Sequence, residues 1–355
     1  MKRNATRIPV TLITGFLGSG KTTLLNHLLQ DPFLTDSAVI INEFGEVSID
    51  HLLVEKATEG IIELANGCLC CTLRSDLIDT ITNLVDCIQT GHLKKLNRII
   101  IETTGLADPA LILQALLSHP ILKQALAIDT VITTFDTLSA PAILEKYSEA
   151  QKQIAFADKI ILTKTDLSDS KILLDTLIST LKTLNPTAEI INAHSKQCCA
   201  NMLMNKTLWN EKGENSQLKK WLTIIPHDHS HHKTIRAFSL ECDEPIHYAT
   251  LEAFLDHLKN LYGEKLLRIK AIIALHDNPH CPLVLHGIQT LFHPPVRLPA
   301  WPSGITQTRF VIIADGIEKE MVQKLFDIFL NKPAIDTADK TALLANPLAI
   351  PGMKF

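Results

Sequence analysis

No apolar run in this 355-residue chain approaches the roughly 20 residues that a membrane-spanning helix needs. The runs at 38–41 and 99–101 are typical of what it has, so a soluble protein is expected. Excess charge is also missing, because 34 basic side chains face 38 acidic ones and the formal net charge is only -4. Such a balance creates no basic field for nucleic acid. Aromatic residues make up 5% of the chain, too few for the stacking platforms that hold single strands. Separated Cys-x-x-Cys pairs, the mark of a closed structural zinc site, are absent as well. Eight cysteines in a long chain without a secretion signal are expected to stay reduced, as ligands or core residues, in the cytosol. Lys2, Arg3 and Arg7 ahead of an apolar stretch imitate such a signal, but the stretch runs straight into a loop that the mature protein needs.

What the chain has is apolar bulk, 46% of its residues, enough for about two domains. Short β-branched runs at 10–13, 38–41, 98–102, 130–135, 159–163 and 189–192 read as strands. The apolar spacing at 23–30, 73–88, 110–117 and 170–184 reads as helices between them. Alternation of this kind gives a mostly parallel, doubly wound α/β sheet covered on both faces, placed at residues 1–196. Residues 197–233 read as a connection ending in a His-containing linker. A βαβββα order over 234–331 suggests a smaller α+β domain: strands at 234–241, 268–275, 282–291 and 309–314, a helical stripe from Leu251 to Leu261 and a closing helix from Met321 to Phe329. Residues 332–355 form an irregular tail.

Gly15-Phe-Leu-Gly-Ser-Gly-Lys-Thr22 satisfies G-x-x-x-x-G-K-[ST] at every fixed position, directly after a strand and before a helix. The glycines Gly15, Gly18 and Gly20 let backbone N–H groups curl around phosphate oxygens, and the helix N-terminus adds its positive end. Lys21 reaches the outer phosphates, Thr22 ligates Mg²⁺, and Ser19 and Thr23 complete the cradle. Arg98-Ile-Ile-Ile-Glu-Thr-Thr-Gly105 then puts Glu102 at the end of a buried strand, where a metal-side carboxylate belongs, and the Gly105 amide where it can sense a γ-phosphate. These features define a P-loop NTPase domain. The base is read from Thr163-Lys164-Thr165-Asp166 after the fifth strand. The Asp166 carboxylate can accept from guanine's N1–H and 2-amino group, a donor pair that adenine lacks. Thr163 stands where guanine-specific proteins usually carry Asn, which leaves the contact to the other edge of the base open.

Asn66-Gly-Cys-Leu-Cys-Cys-Thr72 lies between the second strand and Glu102. Three thiolates at Cys68, Cys70 and Cys71 favour Zn²⁺ or Cu(I) over hard cations, and with only three ligands the fourth position stays open, so the metal can be given away. A redox pair or buried small hydrophobes are the competing readings. Glu43 in Ile41-Asn-Glu-Phe-Gly-Glu46 is a carboxylate for nucleotide, Mg²⁺ or thiolates, while Glu46 fits a strand-ending turn equally well. His227, His229, His231 and His232 either collect metal weakly or fill a polar linker. Cys198 and Cys199 carry nothing beyond packing or a loose auxiliary site, and His119, His286 and His293 read as structural.

In this order, Gly15 to Thr22, Asn42 to Glu46, the Cys-x-Cys-Cys motif, Glu102-Thr-Thr-Gly-Leu-Ala-Asp-Pro109 and Thr163 to Asp166 resemble the CobW-like GTPases, and in particular their YjiA-type branch. The likeness extends to His286-Gly-Ile-Gln-Thr-Leu-Phe292, Trp301 and Phe310-Val-Ile-Ile313, in the manner of that family's C-terminal domain. The resemblance implies a slow GTPase that uses GTP and Mg²⁺ and carries zinc or another transition metal to client proteins. It implies Lys21, Glu43 and Glu102 as the catalytic set, Gly105, Thr163, Lys164 and Asp166 beside the phosphate loop as nucleotide ligands, and Cys68, Cys70 and Cys71 as zinc ligands. Nucleic acid and membrane are not expected partners, and a homo-oligomer is compatible with all of this. Two other classes stay open: a P-loop phosphotransferase with a structural zinc site, and a non-catalytic zinc-storage or redox module.

Overall fold

Seven strands are drawn into one sheet by their β-branched runs: β1 (Ile8–Gly15), β2 (Ser37–Ile41), β3 (Ile61–Glu63), β4 (Arg98–Glu102), β5 (Leu126–Asp136), β6 (Lys159–Thr163) and β7 (Glu189–Asn192). They come from a computed structural model that describes residues 7–41, 61–63, 72–93, 96–167, 171–204, 234–292, 295–302 and 306–330. The order is β3-β2-β4-β1-β5-β6-β7 and every pair is parallel. The chain is thus doubly wound as expected, with all carboxyl ends of the strands on one edge. In such sheets ligands bind at that edge, where the strand order reverses. The reversal here falls at β1, the strand that runs into the phosphate loop. One core lies on each face of the sheet: Val10, Leu12, Ile99 and Ile101 belong to one, and Ile13, Leu25, Ile100 and Ile161 to the other.

Several elements differ from the sequence reading. β3 was not anticipated, because three residues are shorter than the runs that alternation can identify. Among the described residues four helices were also missed: Pro120–Ala125, Ala140–Lys146, Ser148–Phe156 and Ala200–Met204. Three are under eight residues long, and the helix Ser148–Phe156 buries Ala150, Gln153 and Ala155 beside only two large apolar residues, which blurs its periodicity. The helix expected at 23–30 is Lys21–Leu28, started by the left-handed Gly20 (φ 87°). Residue 196 is not the end of the first unit, since Cys198, Ala200, Leu203 and Met204 are packed into its core. Glu43, Glu46, Cys68, Cys70, Cys71, the histidines at 227–232, His293, residues 205–233 and the tail from 331 lie outside the described residues.

The second unit has the expected order. β8 (Ile235–Cys242), β9 (Leu266–Leu275), β10 (Asn278–Ile288) and β13 (Thr308–Asp315) form an antiparallel sheet with the short β11 (Leu291–Phe292) and β12 (Val296–Arg297). The strand expected to reach 291 stops at Ile288, where Gln289 turns at φ 51°. Strand alternation sends Ile269, Ala271 and Ile273 toward the helices Tyr248–Tyr262 and Lys319–Phe329, where Phe254, Phe310 and Phe326 meet at ring distances of 4.9 to 5.7 Å.

Part of the other face of this sheet is covered by the nucleotide domain, which the sequence reading did not foresee, while Ile272, Val284 and Val311 pack under Leu298 and Trp301 of the same unit. Ile235, Ala237, Leu267, Ile288 and Ile313 share a core with Phe156, Leu181 and Leu184. Set into this contact is a buried ion cluster. Asp158 pairs with Arg268 and, at 3.3 Å, with Lys270, while Arg268 also donates to the Phe156 carbonyl. Burial alone would raise the Asp158 carboxyl, but Arg268, Lys270, the Val131 N–H and His286 hold it well below the usual carboxylate range. Burial and the neighbouring Arg268 bring Lys270 down to about 8 despite Asp158. Among the described residues no helix is long and apolar enough to cross a membrane.

Removing one partner from a buried pair leaves uncompensated charge. Asp158→Asn should therefore cost about 3–5 kcal/mol in urea unfolding at pH 7. The Asp158 carboxyl is depressed in the folded state, so its contribution is complete above the ordinary carboxylate value of about 3.9 and is lost as pH falls below it. The gap between wild type and variant should shrink below about pH 4; a gap that does not change with pH would contradict the ion cluster.

Candidate functional site

The phosphate loop begins where β1 is pressed against β5. At Gly15 an added Cβ would fall 2.4 Å from the Thr134 carbonyl oxygen, so no side chain fits. The loop then turns through Gly18 and Gly20, both left-handed. No side chain caps the helix Lys21–Leu28, which leaves its first-turn N–H groups directed at the loop, as anion binding requires. Lys21 folds over the loop and its Nζ donates to the carbonyls of Gly15 and Phe16 at 3.1 and 3.2 Å. Ser19 is buried and shares a 2.7 Å hydrogen bond with Thr134. Thr23 is exposed on the first helical turn.

β4 delivers the acidic residue. Glu102 is 4% exposed, and its Oε1 accepts from the Thr22 hydroxyl at 2.6 Å. The two residues expected at Mg²⁺ are thereby brought together from positions 80 apart in the chain. Hydroxyl and carboxylate oxygens next to a lysine ammonium are the hard donors that Mg²⁺ beside phosphates takes, so the residues present fit the ion. Beyond Glu102 the chain is tied back to β1, with the Thr103 N–H donating to the Ile13 carbonyl at 2.9 Å and the Thr103 hydroxyl to Thr14 at 2.9 Å. Gly105 then lies against the phosphate loop so closely that a Cβ would sit 2.6 Å from the Leu17 backbone nitrogen.

The base-side loop follows β6. The Thr163 hydroxyl donates to the carbonyls of Ser19 and Phe135 at 2.9 and 3.3 Å. Its side chain thus ties the base loop to the phosphate loop. Lys164 turns at φ 57° and pairs with Asp136 at 2.7 Å. Burial would raise the Asp136 carboxyl, but hydrogen bonds from Lys164, the Leu138 N–H and Ser139 outweigh it and lower the carboxyl below its ordinary value. Asp166 is exposed, and its Oδ1 lies 3.0 Å from Nε2 of His194. Asn192 supports this loop by accepting from Thr165 and from the His194 N–H.

Asp136 and His194 were missed in the sequence. Asp136 had a signal, an acidic residue at the carboxyl end of a parallel strand. His194 had none, because its pairing depends on β6 and β7 being neighbours. Cys198 is buried in the core, and burial, with Cys199 adding to it, pushes its thiol up to about 11, which suits packing over metal ligation. Among the described residues no group of three or more His, Cys, Asp or Glu could hold a metal ion; the expected zinc ligands lie outside them.

Two family models match the chain. That of the CobW/HypB/UreG nucleotide-binding domain covers residues 9–192, and that of the cobalamin synthesis protein CobW C-terminal domain covers 235–330. The zinc chaperone YjiA of Escherichia coli is 31% identical over 319 residues, spanning 90% of this chain and 98% of that protein. The zinc chaperone CobW of Pseudomonas aeruginosa is 27% identical, spanning 89% and 90%. The crystal structure of Zn(II)-bound YjiA GTPase from Escherichia coli superposes with a TM-score of 0.69 at 27% identity and spans 92% of this chain and 99% of that one.

The Thr22–Glu102 contact makes a direct prediction. Glu102→Gln keeps an oxygen for the Thr22 hydroxyl and removes the charge, so Mg²⁺ affinity of the GDP complex should fall by about 10- to 100-fold. GDP affinity in a chelator should not change. An unaltered Mg²⁺ requirement, read by titration with fluorescent GDP, would remove Glu102 from the ion's surroundings.

Proposed function

The chain belongs to the CobW/HypB/UreG family and is a GTPase, and on that premise we propose that it is a zinc chaperone in which the bound nucleotide sets how tightly the Cys-x-Cys-Cys segment holds its cargo. The observation that carries this reading is the joining of the phosphate loop to the acidic end of β4, through Thr22 and Glu102 and through Gly105 against Leu17. A γ-phosphate held by Lys21 and met by the Gly105 N–H would alter that junction directly. Bound Mg²⁺ would neutralise charge on the phosphates, with Thr22 and Glu102 holding it.

The cysteines are linked to the same edge of the sheet. Ile41 pairs with Glu102 on one side and with Glu63 on the other, so the segment bearing Cys68, Cys70 and Cys71 leaves β3 two strands from the acid. It ends at Thr72, where the helix Thr72–Gln89 begins. Parallel neighbours are spaced about 4.8 Å apart, so the departure point lies on the order of 10 Å from Glu102. Zinc is the cargo: three thiolates hold it, and Glu43 is the carboxylate available to complete or to release the site. Hydrolysis relaxes the junction and loosens the ion, as in other nucleotide switches. Asp166, with Lys164 and Thr163 behind it, selects guanine.

Linkage makes the reading testable, since a nucleotide that tightens zinc must itself be tightened by zinc to the same degree. Zinc affinity should be about 5- to 150-fold higher with a non-hydrolysable GTP analogue than with GDP. Cys70→Ser and Cys71→Ser should weaken zinc and leave GDP affinity unchanged, and Lys21→Ala should abolish tight nucleotide binding. Equal zinc affinity in the two nucleotide states would remove the switch.

A further inference from the structure

We propose that Gln153 is a positioning residue of the GTPase reaction, its buried amide fixing the Gly105 loop against the phosphate loop; this rests on the reading of Gly105 as the γ-phosphate contact. Gln153 lies on the helix Ser148–Phe156 and is 1% exposed. Burying a primary amide is unfavourable unless its polar atoms are bonded, and for packing alone an apolar residue would serve better. Its Nε2 donates to the carbonyls of Gly105 and Ala107, each at 3.1 Å. Among the described residues its Oε1 has no hydrogen-bond partner. Both bonds the amide makes therefore go to one short loop, the one that leaves β4 after Glu102.

The donor is fixed and the loop is the lighter part. Thr133 of β5 donates to the Gln153 carbonyl at 2.8 Å. At the helix's end, Asn185 donates to the carbonyls of Ile154, Ala155 and Ala157 at 2.8, 3.2 and 2.9 Å. Arg268 of the second unit holds the Phe156 carbonyl. By contrast Leu106, between the two accepted carbonyls, is 53% exposed, and Leu17 opposite is 57% exposed, so beside the close approach of Gly105 to Leu17 and the Asp108–Lys152 pair the Gln153 amide is the contact that fixes the loop's carbonyls. A glycine has no Cβ to restrict its backbone. Holding the Gly105 carbonyl removes that freedom and so sets where its N–H sits over Leu17. Gln153 touches no reacting atom; it acts through Gly105.

The test uses the full chain with GTP and Mg²⁺. Gln153→Met has nearly the same length without donors, and it should lower kcat by about 10- to 100-fold, the cost of a small misplacement at a reacting centre. Affinity for GDP, which has no γ-phosphate to meet Gly105, should stay within about twofold, while affinity for the non-hydrolysable GTP analogue falls with the displaced contact. Gly105→Ala serves as the reference, because a Cβ there strikes Leu17. Unchanged kcat in Gln153→Met beside an impaired Gly105→Ala would overturn the role of Gln153 alone. Unchanged kcat in both would overturn the reading of Gly105 beneath it as well. GDP affinity falling in step with kcat would make Gln153 merely structural. If the Met variant does not fold, hydrogen exchange on the wild type decides. Slower exchange at 103–107 with the GTP analogue than with GDP, while 150–156 is unchanged, supports the proposal; segments that change together overturn it.

Discussion

The hydrogen bond from Thr22 to Glu102 is the contact on which the rest of the site depends. A carboxylate that is 4% exposed is held at the end of a strand because a hydroxyl of the phosphate loop faces it at 2.6 Å, and unpaired it would be costly. The bond fastens the first turn of the helix Lys21–Leu28 to β4, and β4 is the strand from which the Gly105 loop departs. It is also the strand that β2 follows in register, Ile41 against Glu102. The Thr22–Glu102 bond thereby links the phosphate loop to the carboxyl ends of β4 and β2.

The phosphate loop, Glu102 and the alternating strands were legible because each is dictated locally. Only glycine fits at Gly15, where β1 meets Thr134, and a buried parallel strand must read as an apolar run. What could not be read was set by neighbours distant in sequence. Gln153 looks like an ordinary surface glutamine until the helix Ser148–Phe156 is laid under the Gly105 loop. Thr163 looked like a weakened guanine residue, yet its hydroxyl secures Ser19 and Phe135. His194 gains meaning only when β7 lies beside β6. The helix at Ala200–Met204 was read as connection because five residues carry no period, although they complete a core.

The second unit is more than an appendage. Its sheet buries one face under two helices and part of the other against the nucleotide domain, and β9 is buried along its whole length. Asp158 pairs with Arg268 and Lys270 across that contact, while the surrounding Ile and Leu side chains supply the apolar burial. Asp158 immediately precedes β6, whose far end carries Thr163, Lys164 and Asp166. The base loop and the domain contact are thus the two ends of one rigid strand. Arg268 meanwhile grips the end of the helix that bears Gln153, so the second unit is joined to both the base side and the phosphate side of the site.

The central claim is that nucleotide state and thiolate-bound zinc are two readings of one junction at the carboxyl edge of the sheet. Zinc X-ray absorption on the loaded protein addresses it most directly. With the GTP analogue the ion should be ringed by the sulfurs of Cys68, Cys70 and Cys71, and with GDP sulfur scattering should diminish in favour of nitrogen or oxygen. Identical spectra in the two states, or a zinc shell without sulfur in both, would contradict the account.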